Sequence, residues 1–155
     1  MQREEFVNRY GGVYEHSPWV AETVFDQGNA GADIAASLRE CVDKAPVEKK
    51  LALIRAHPDL AGKAAVAGEL TESSTDEQAS ARLDQCTPAE LEQFQALNDA
   101  YRRKFGFPFV LAVRNRNRQE ILKAFASRLG NDADTEFATA IAEIHKIAAL
   151  RLDAL

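Results

Sequence analysis

The tetrad Thr87-Pro88-Ala89-Glu90 constrains this chain more than any other feature. A hydroxyl residue, a proline at the first helical position and an acid three residues on form a capping box, which satisfies the free N–H groups that every helix start leaves over. Leu91, Phe94, Leu97, Asn98 and Tyr101 follow at spacings of three and four, so one apolar-leaning face runs to about Phe105. Comparable signals recur along the chain. Ser17-Pro18 predicts a helix to about Asp26, and Asp33 to Asp43 continues the pattern. Pro46 opens a helix that carries Leu51, Leu53 and Ile54 toward His57, and Pro58 ends it because a residue before proline avoids the α region. A short helix is expected near Lys63 to Ala67, and Ser74 or Thr75 can cap another from Asp76 to about Leu83, with Glu77 in its first turn. Arg118 to Leu129 and Asp134 to Ala154 complete the set. Only Phe107 to Val113 breaks the helical period, as an extended segment or a tight buried loop. The expectation is an all-α, compact single-domain bundle of about seven to nine helices over residues 1–155.

At 155 residues a single core is large enough to need no staple. The two cysteines, Cys41 and Cys86, lie far apart and outside any Cys-x-x-Cys pattern, so reduced packing residues are expected and a metal site is not. A net charge of −5 argues against nucleic acid or an anionic membrane as partner. No window approaches the roughly 18 apolar residues of a membrane span. Met1 to Phe6 is charged where a signal peptide would be apolar, which points to a cytoplasmic protein. Arg102, Arg103, Lys104, Arg114, Arg116 and Arg118 form a stretch with no acid between Asp99 and Glu120, read as a solvated face or a field for a small anion.

Three residues stand out chemically. Arg151 falls on the apolar stripe Phe137, Ile141, Ile144, Ala148 of the last helix, where a guanidinium needs a carboxylate or carbonyl partner unless it snorkels at the chain end. His57 ends an apolar helix in a backbone restricted by Pro58, either as a proton-transfer group working near neutrality or as a hydrogen-bonded core or capping histidine. Glu77 either complements a helix dipole or binds a ligand, with Gln78 offering an amide beside it. His16 and His145 read as surface or packing residues. Phosphate cradles, nucleophile elbows and zinc-protease motifs are missing from the sequence, so cofactor-free chemistry is the enzyme hypothesis. The alternatives are a noncatalytic helical module that binds small anions or acts as an adaptor, and a structural homodimer with Arg151 paired internally, for instance to Glu77.

The runs His57-Pro58-Asp59-Leu60-Ala61-Gly62-Lys63, Ser74-Thr75-Asp76-Glu77-Gln78 and Lys104-Phe105-Gly106-Phe107-Pro108-Phe109-Val110 together resemble the 2-oxo-4-hydroxy-4-carboxy-5-ureidoimidazoline (OHCU) decarboxylases of urate breakdown. The resemblance extends over nearly the whole chain. It implies an all-helical fold and conversion of OHCU to (S)-allantoin and carbon dioxide without metal or organic cofactor, by a protein that commonly forms homodimers. It also implies His57, Glu77 and Arg151 as catalytic residues. Pro58, Ser74, Thr75, Asp76, Gln78 and the segment Phe109, Val110, Leu111, Ala112 and Val113 would bind substrate. The chain departs from the family pattern at Ser80-Ala81-Arg82-Leu83, where members often have Ser-Ala-Gly-Leu, and in its arginine-rich run after Val113.

Overall fold

The computed structural model describes residues 1–31 and 33–155. Among them lie nine α-helices and no strand: α1 (Arg3–Tyr10), α2 (Trp19–Asp26), α3 (Ile34–Asp43), α4 (Val47–Arg55), α5 (Lys63–Val66), α6 (Glu72–Ser80), α7 (Pro88–Phe105), α8 (Arg118–Leu129) and α9 (Ala133–Asp153). A 3-10 helix, Leu83–Gln85, separates α6 from α7. The all-α expectation therefore holds. The chain divides into one unit of residues 1–57 with 141–155 and a second of residues 58–140.

In the first unit α1 packs on α2 and α2 on α3. Phe6, Val20, Val24, Leu38, Val42, Leu53, Ile54 and Ile144 are buried. Helix α1 has no start signal, and only Phe6 among its residues is buried. It is held by the Phe6 ring against Phe25, at 5.5 Å, and by Arg3 Nε on Asp26 at 2.8 Å. Ser17 does not cap α2 as its sequence position suggests. Its hydroxyl donates to the Glu15 carbonyl at 2.8 Å, and Pro18 occupies the cap position without a side-chain hydrogen bond. Asp33 does cap α3, accepting from the Ala36 N–H at 3.0 Å.

The second unit is built on α7 and α8, which pack together. Both halves of the α7 capping box form, and Gly106 closes the other end at φ +77°, a left-handed conformation that glycine adopts at no steric penalty. Helix α8 carries a second capping box, Asn117 with Glu120. Phe107 to Val113 is a tight buried loop without regular secondary structure. Aromatic stacking anchors it, with the Phe109 and Phe125 rings 3.9 Å apart and nearly parallel, and the Tyr101 ring set edge-on to Phe109 at 5.5 Å.

Helix α6 corrects the sequence reading. Thr71, not Ser74 or Thr75, is its cap, with the Thr71 hydroxyl accepting from the Ser74 N–H at 3.2 Å. A run of Thr, Ser and Thr offers several residues able to cap, and the earliest one won. Glu77 thus lies in the second half of α6, where the macrodipole gives a carboxylate no support.

Candidate active site

His57 lies two residues beyond the end of α4, and only 5% of it is exposed. Its Nδ1 is 2.9 Å from the Leu53 carbonyl. A carbonyl only accepts, so Nδ1 carries the hydrogen, and in the neutral ring Nε2 keeps its lone pair. Burial drives the imidazole pKa down to about 4, against smaller upward pulls from the Leu53 hydrogen bond and the Glu15 carboxylate. The resting group is neutral, which corrects the near-neutral value that its chemistry suggested from sequence.

Arg151 is buried, at 7% exposure, so it does not snorkel. Its Nη2 lies 3.3 Å from a Glu15 carboxylate oxygen, and its Nη1 donates to the Gly12 carbonyl at 3.1 Å. Glu15 itself is 2% exposed. Glu15 and Arg151 both act electrostatically on His57, with opposite signs. The structure thus brings His57 and Arg151 together with an acid that the sequence reading passed over. That reading named Glu77 as a possible partner; within its own unit Arg151 has a carboxylate partner in Glu15. The sequence held half of the clue: a core-facing arginine demands an acid, without saying which one.

His145 is a packing residue, as expected, with a more specific task. Its Nε2 meets an Asp43 oxygen at 2.8 Å and its Nδ1 meets the Tyr14 hydroxyl at 2.8 Å. The carboxylate can only accept, so Nε2 carries the hydrogen and Tyr14 donates to Nδ1. Burial holds the His145 pKa below its ordinary value and the Tyr14 pKa above its own, consistent with both being neutral. His16 is exposed.

In the second unit the segment after His57 is tied down residue by residue. The Asp59 carboxylate takes Arg102 Nε at 3.0 Å, and the Asp59 carbonyl accepts from Gln78 Nε2 at 3.1 Å. The Leu60 carbonyl accepts from Asn98 Nδ2 at 3.0 Å, and the Ala61 N–H donates to Gln78 Oε1 at 3.0 Å. Ala61 is held at φ +49°, and a Cβ on Gly62 would lie 2.7 Å from Asp59 Cβ. The Gln78 amide therefore clamps the turn from both sides, while an amide keeps one further donor hydrogen and one further acceptor lone pair. Pro58 lines a cleft of about 330 Å³ with Asp59, Lys63, Asn98 and Arg102. Thr75 and Gln78 line another, of about 450 Å³, with Ala61, Leu70 and Leu83.

Ser74 is buried, Glu77 is half-buried, and Thr75 and Asp76 are exposed. In the Phe109 to Val113 loop, Ala112 is half-buried and the other four residues are buried. The Val110 carbonyl accepts from Arg128 Nη1 at 2.6 Å, and Ala112 and Val113 carbonyls accept from Arg116 at 3.2 and 3.0 Å. The basic stretch is largely engaged within the unit. Arg102 pairs with Asp59, Lys104 donates to the Leu129 carbonyl, Arg116 to Ala112, and Arg118 pairs with Glu90. Cys41 and Cys86 are free thiols, both half-buried. Among the described residues no group of three or more His, Cys, Asp or Glu could hold a metal ion. No helix among them is long and apolar enough to cross a membrane.

A neutral, buried imidazole and a buried Arg–Glu pair that acts on it electrostatically can move protons and hold oxyanions, the kind of equipment acid–base enzymes use. The profile of the OHCU decarboxylase family matches residues 1–153, and the chain belongs to that family. It is 43% identical over 151 residues to the 2-oxo-4-hydroxy-4-carboxy-5-ureidoimidazoline decarboxylase of Haloferax volcanii, covering 96% of this chain and 88% of that one. It matches the crystal structure of (S)-allantoin synthase with a TM-score of 0.78 and 35% identity, over 99% of this chain and 50% of that one. An OHCU decarboxylase crystallised in the presence of (S)-allantoin shares the fold, with a TM-score of 0.67 at 22% identity, over 97% of this chain and 95% of that one.

Proposed function

We propose that this chain decarboxylates OHCU to (S)-allantoin and carbon dioxide in urate catabolism, with His57 as its proton-transfer group. The observation that supports this most is family membership over residues 1–153 in a chain that retains a buried, tautomerically fixed histidine. In OHCU the C4 carbon bears both hydroxyl and carboxylate beside a ring imine. When the bond from C4 to the carboxylate breaks, its electron pair forms a C4–C5 double bond, and the imine pair moves onto nitrogen, which takes a proton from solvent. The imine thus serves as the electron sink, which is why the reading includes neither metal nor organic cofactor. His57 Nε2 then accepts the C4 hydroxyl proton, and the imidazolium, a strong acid at this buried position, returns a proton to one face of C5. Delivery to one face sets the product's handedness.

Arg151 holds carbonyl or carboxylate oxygens of the substrate through its planar fork. Glu77 accepts from ring or ureido N–H groups. Pro58, Ser74, Thr75, Asp76, Gln78 and backbone groups of Phe109 to Val113 bind substrate, Gln78 through its remaining donor and acceptor. The protein works as one domain over residues 1–155, as a homodimer in the cytoplasm. Chirality-resolved conversion of freshly generated OHCU tests the activity. His57→Asn and Glu77→Gln should each lower turnover far beyond any effect on folding, and unchanged turnover in both removes these roles.

A further inference from the structure

Arginine carries several rotatable bonds, and ordering them when a ligand binds weakens affinity unless the guanidinium is already held in place. Arg151 is held. Its Nη2 meets Glu15 at 3.3 Å and its Nη1 meets the Gly12 carbonyl at 3.1 Å, so both contacts come from one short stretch of chain, residues 12–15. That stretch is itself fixed on both sides of Glu15. Before it, the buried Tyr14 hydroxyl donates to His145, which donates to Asp43. After it, His16 sits at φ +47° and the Ser17 hydroxyl closes back on the Glu15 carbonyl at 2.8 Å. A carboxylate only 2% exposed is costly to bury, and this compact turn presents it to the guanidinium on α9.

We propose that Glu15 is a positioning residue for the decarboxylation, holding the Arg151 guanidinium in the one orientation from which it receives the substrate's oxygens. This rests on the reading that Arg151 touches substrate. Glu15 has a second effect in the same direction: it favours positive charge on His57 where Arg151 opposes it, and so shields the imidazole from the guanidinium that its own grip keeps nearby.

A double-mutant cycle separates action through Arg151 from a general structural role. Steady-state decarboxylation of freshly generated OHCU is measured for the full-length wild type, Glu15→Gln, Arg151→Lys and the double variant. Each single change should raise KM about tenfold or more while kcat shifts less than about threefold, and the double variant should be no worse than Arg151→Lys alone. If Arg151→Lys raises KM while Glu15→Gln leaves it unchanged, or if the two effects add, positioning by Glu15 is wrong and the Arg151 assignment stands. If Arg151→Lys leaves KM unchanged, both fall together. Should Glu15→Gln fail to fold, nitrogen-15 spectra of the arginine side chains decide. Wild type should show distinct, slowly exchanging Nη signals for Arg151 that merge in Glu15→Asp. Signals merged in wild type, or left distinct in Glu15→Asp, overturn the proposal.

Discussion

Among the described residues each unit buries an arginine–glutamate pair, and the two pairs keep very different company. Arg128 and Glu136 meet at 2.8 Å, with Glu136 fully buried. Tyr101 donates to Glu136, as does Asn131, while Arg128 also donates to the Val110 carbonyl and lies 4.4 Å over the Phe109 ring. Arg151 and Glu15 meet at 3.3 Å beside the titratable ring of His57. The same two residue types are walled by aromatic rings in one place and set near a buried imidazole in the other. The difference teaches that a buried ion pair says little about function by itself, and that the third group beside it decides.

If that contrast is right, the largest effects of substitution should fall on activity near His57 and on folding near Glu136. His57→Asn should cut decarboxylation by about 10² to 10⁴, the usual contribution of a positioned acid–base group, while thermal unfolding stays cooperative. Turnover near wild type would break the contrast. Glu136→Ala leaves the Arg128 charge buried without its partner and should destabilise by about 3–5 kcal/mol, read from urea denaturation. A loss below about 1 kcal/mol would make the two pairs alike.

The pH dependence of stability sharpens the same contrast. His57 is neutral when folded, its pKa falling from the ordinary 6.5 to about 4, so between those values the unfolded chain binds more protons. Stability should therefore drop as pH falls through that window, by up to about 1.4 kcal/mol per pH unit from this group. Burial lowers the His145 pKa as well, so it adds a slope of the same sign. In His57→Asn the slope should flatten without vanishing, and denaturation series at pH 4, 5, 6 and 7 check it.

Legibility from sequence followed locality. Helix α7 was readable because its start signals are local, and Thr87 and Glu90 need only each other. The position of His57 at a helix end was readable because Pro58 imposes it. Helix α1 escaped because its anchor, Arg3 to Asp26, joins residues far apart in the chain. The α6 start was placed late because Thr71, Ser74 and Thr75 are all able to cap and periodicity there is weak. Glu15 escaped for a related reason. Nothing within its own turn marks it, and its partner Arg151 lies at the other end of the chain.

Two smaller effects complete the series. Gln78→Leu strips the clamp from the Asp59 to Ala61 turn and leaves the buried Ala61 N–H without its acceptor, a loss of about 1–3 kcal/mol in denaturant midpoint analysis. Activity should fall less steeply than in His57→Asn, because the role proposed for Gln78 is binding rather than proton transfer. Arg82 stands at φ +59° where family members often have glycine, and its residue is exposed. Arg82→Gly should relieve the left-handed strain and stabilise by up to about 1 kcal/mol, seen as a modest rise in Tm.

Helix α7 is closed at both ends, by its capping box at Thr87 and by Gly106 at the other terminus. Fraying, the usual route by which a helix surrenders amide protons to deuterium, is therefore blocked from either direction. The Phe94 to Tyr101 amides should be the slowest in the chain to exchange, which would make this helix the last piece of order to dissolve and a natural seed for refolding.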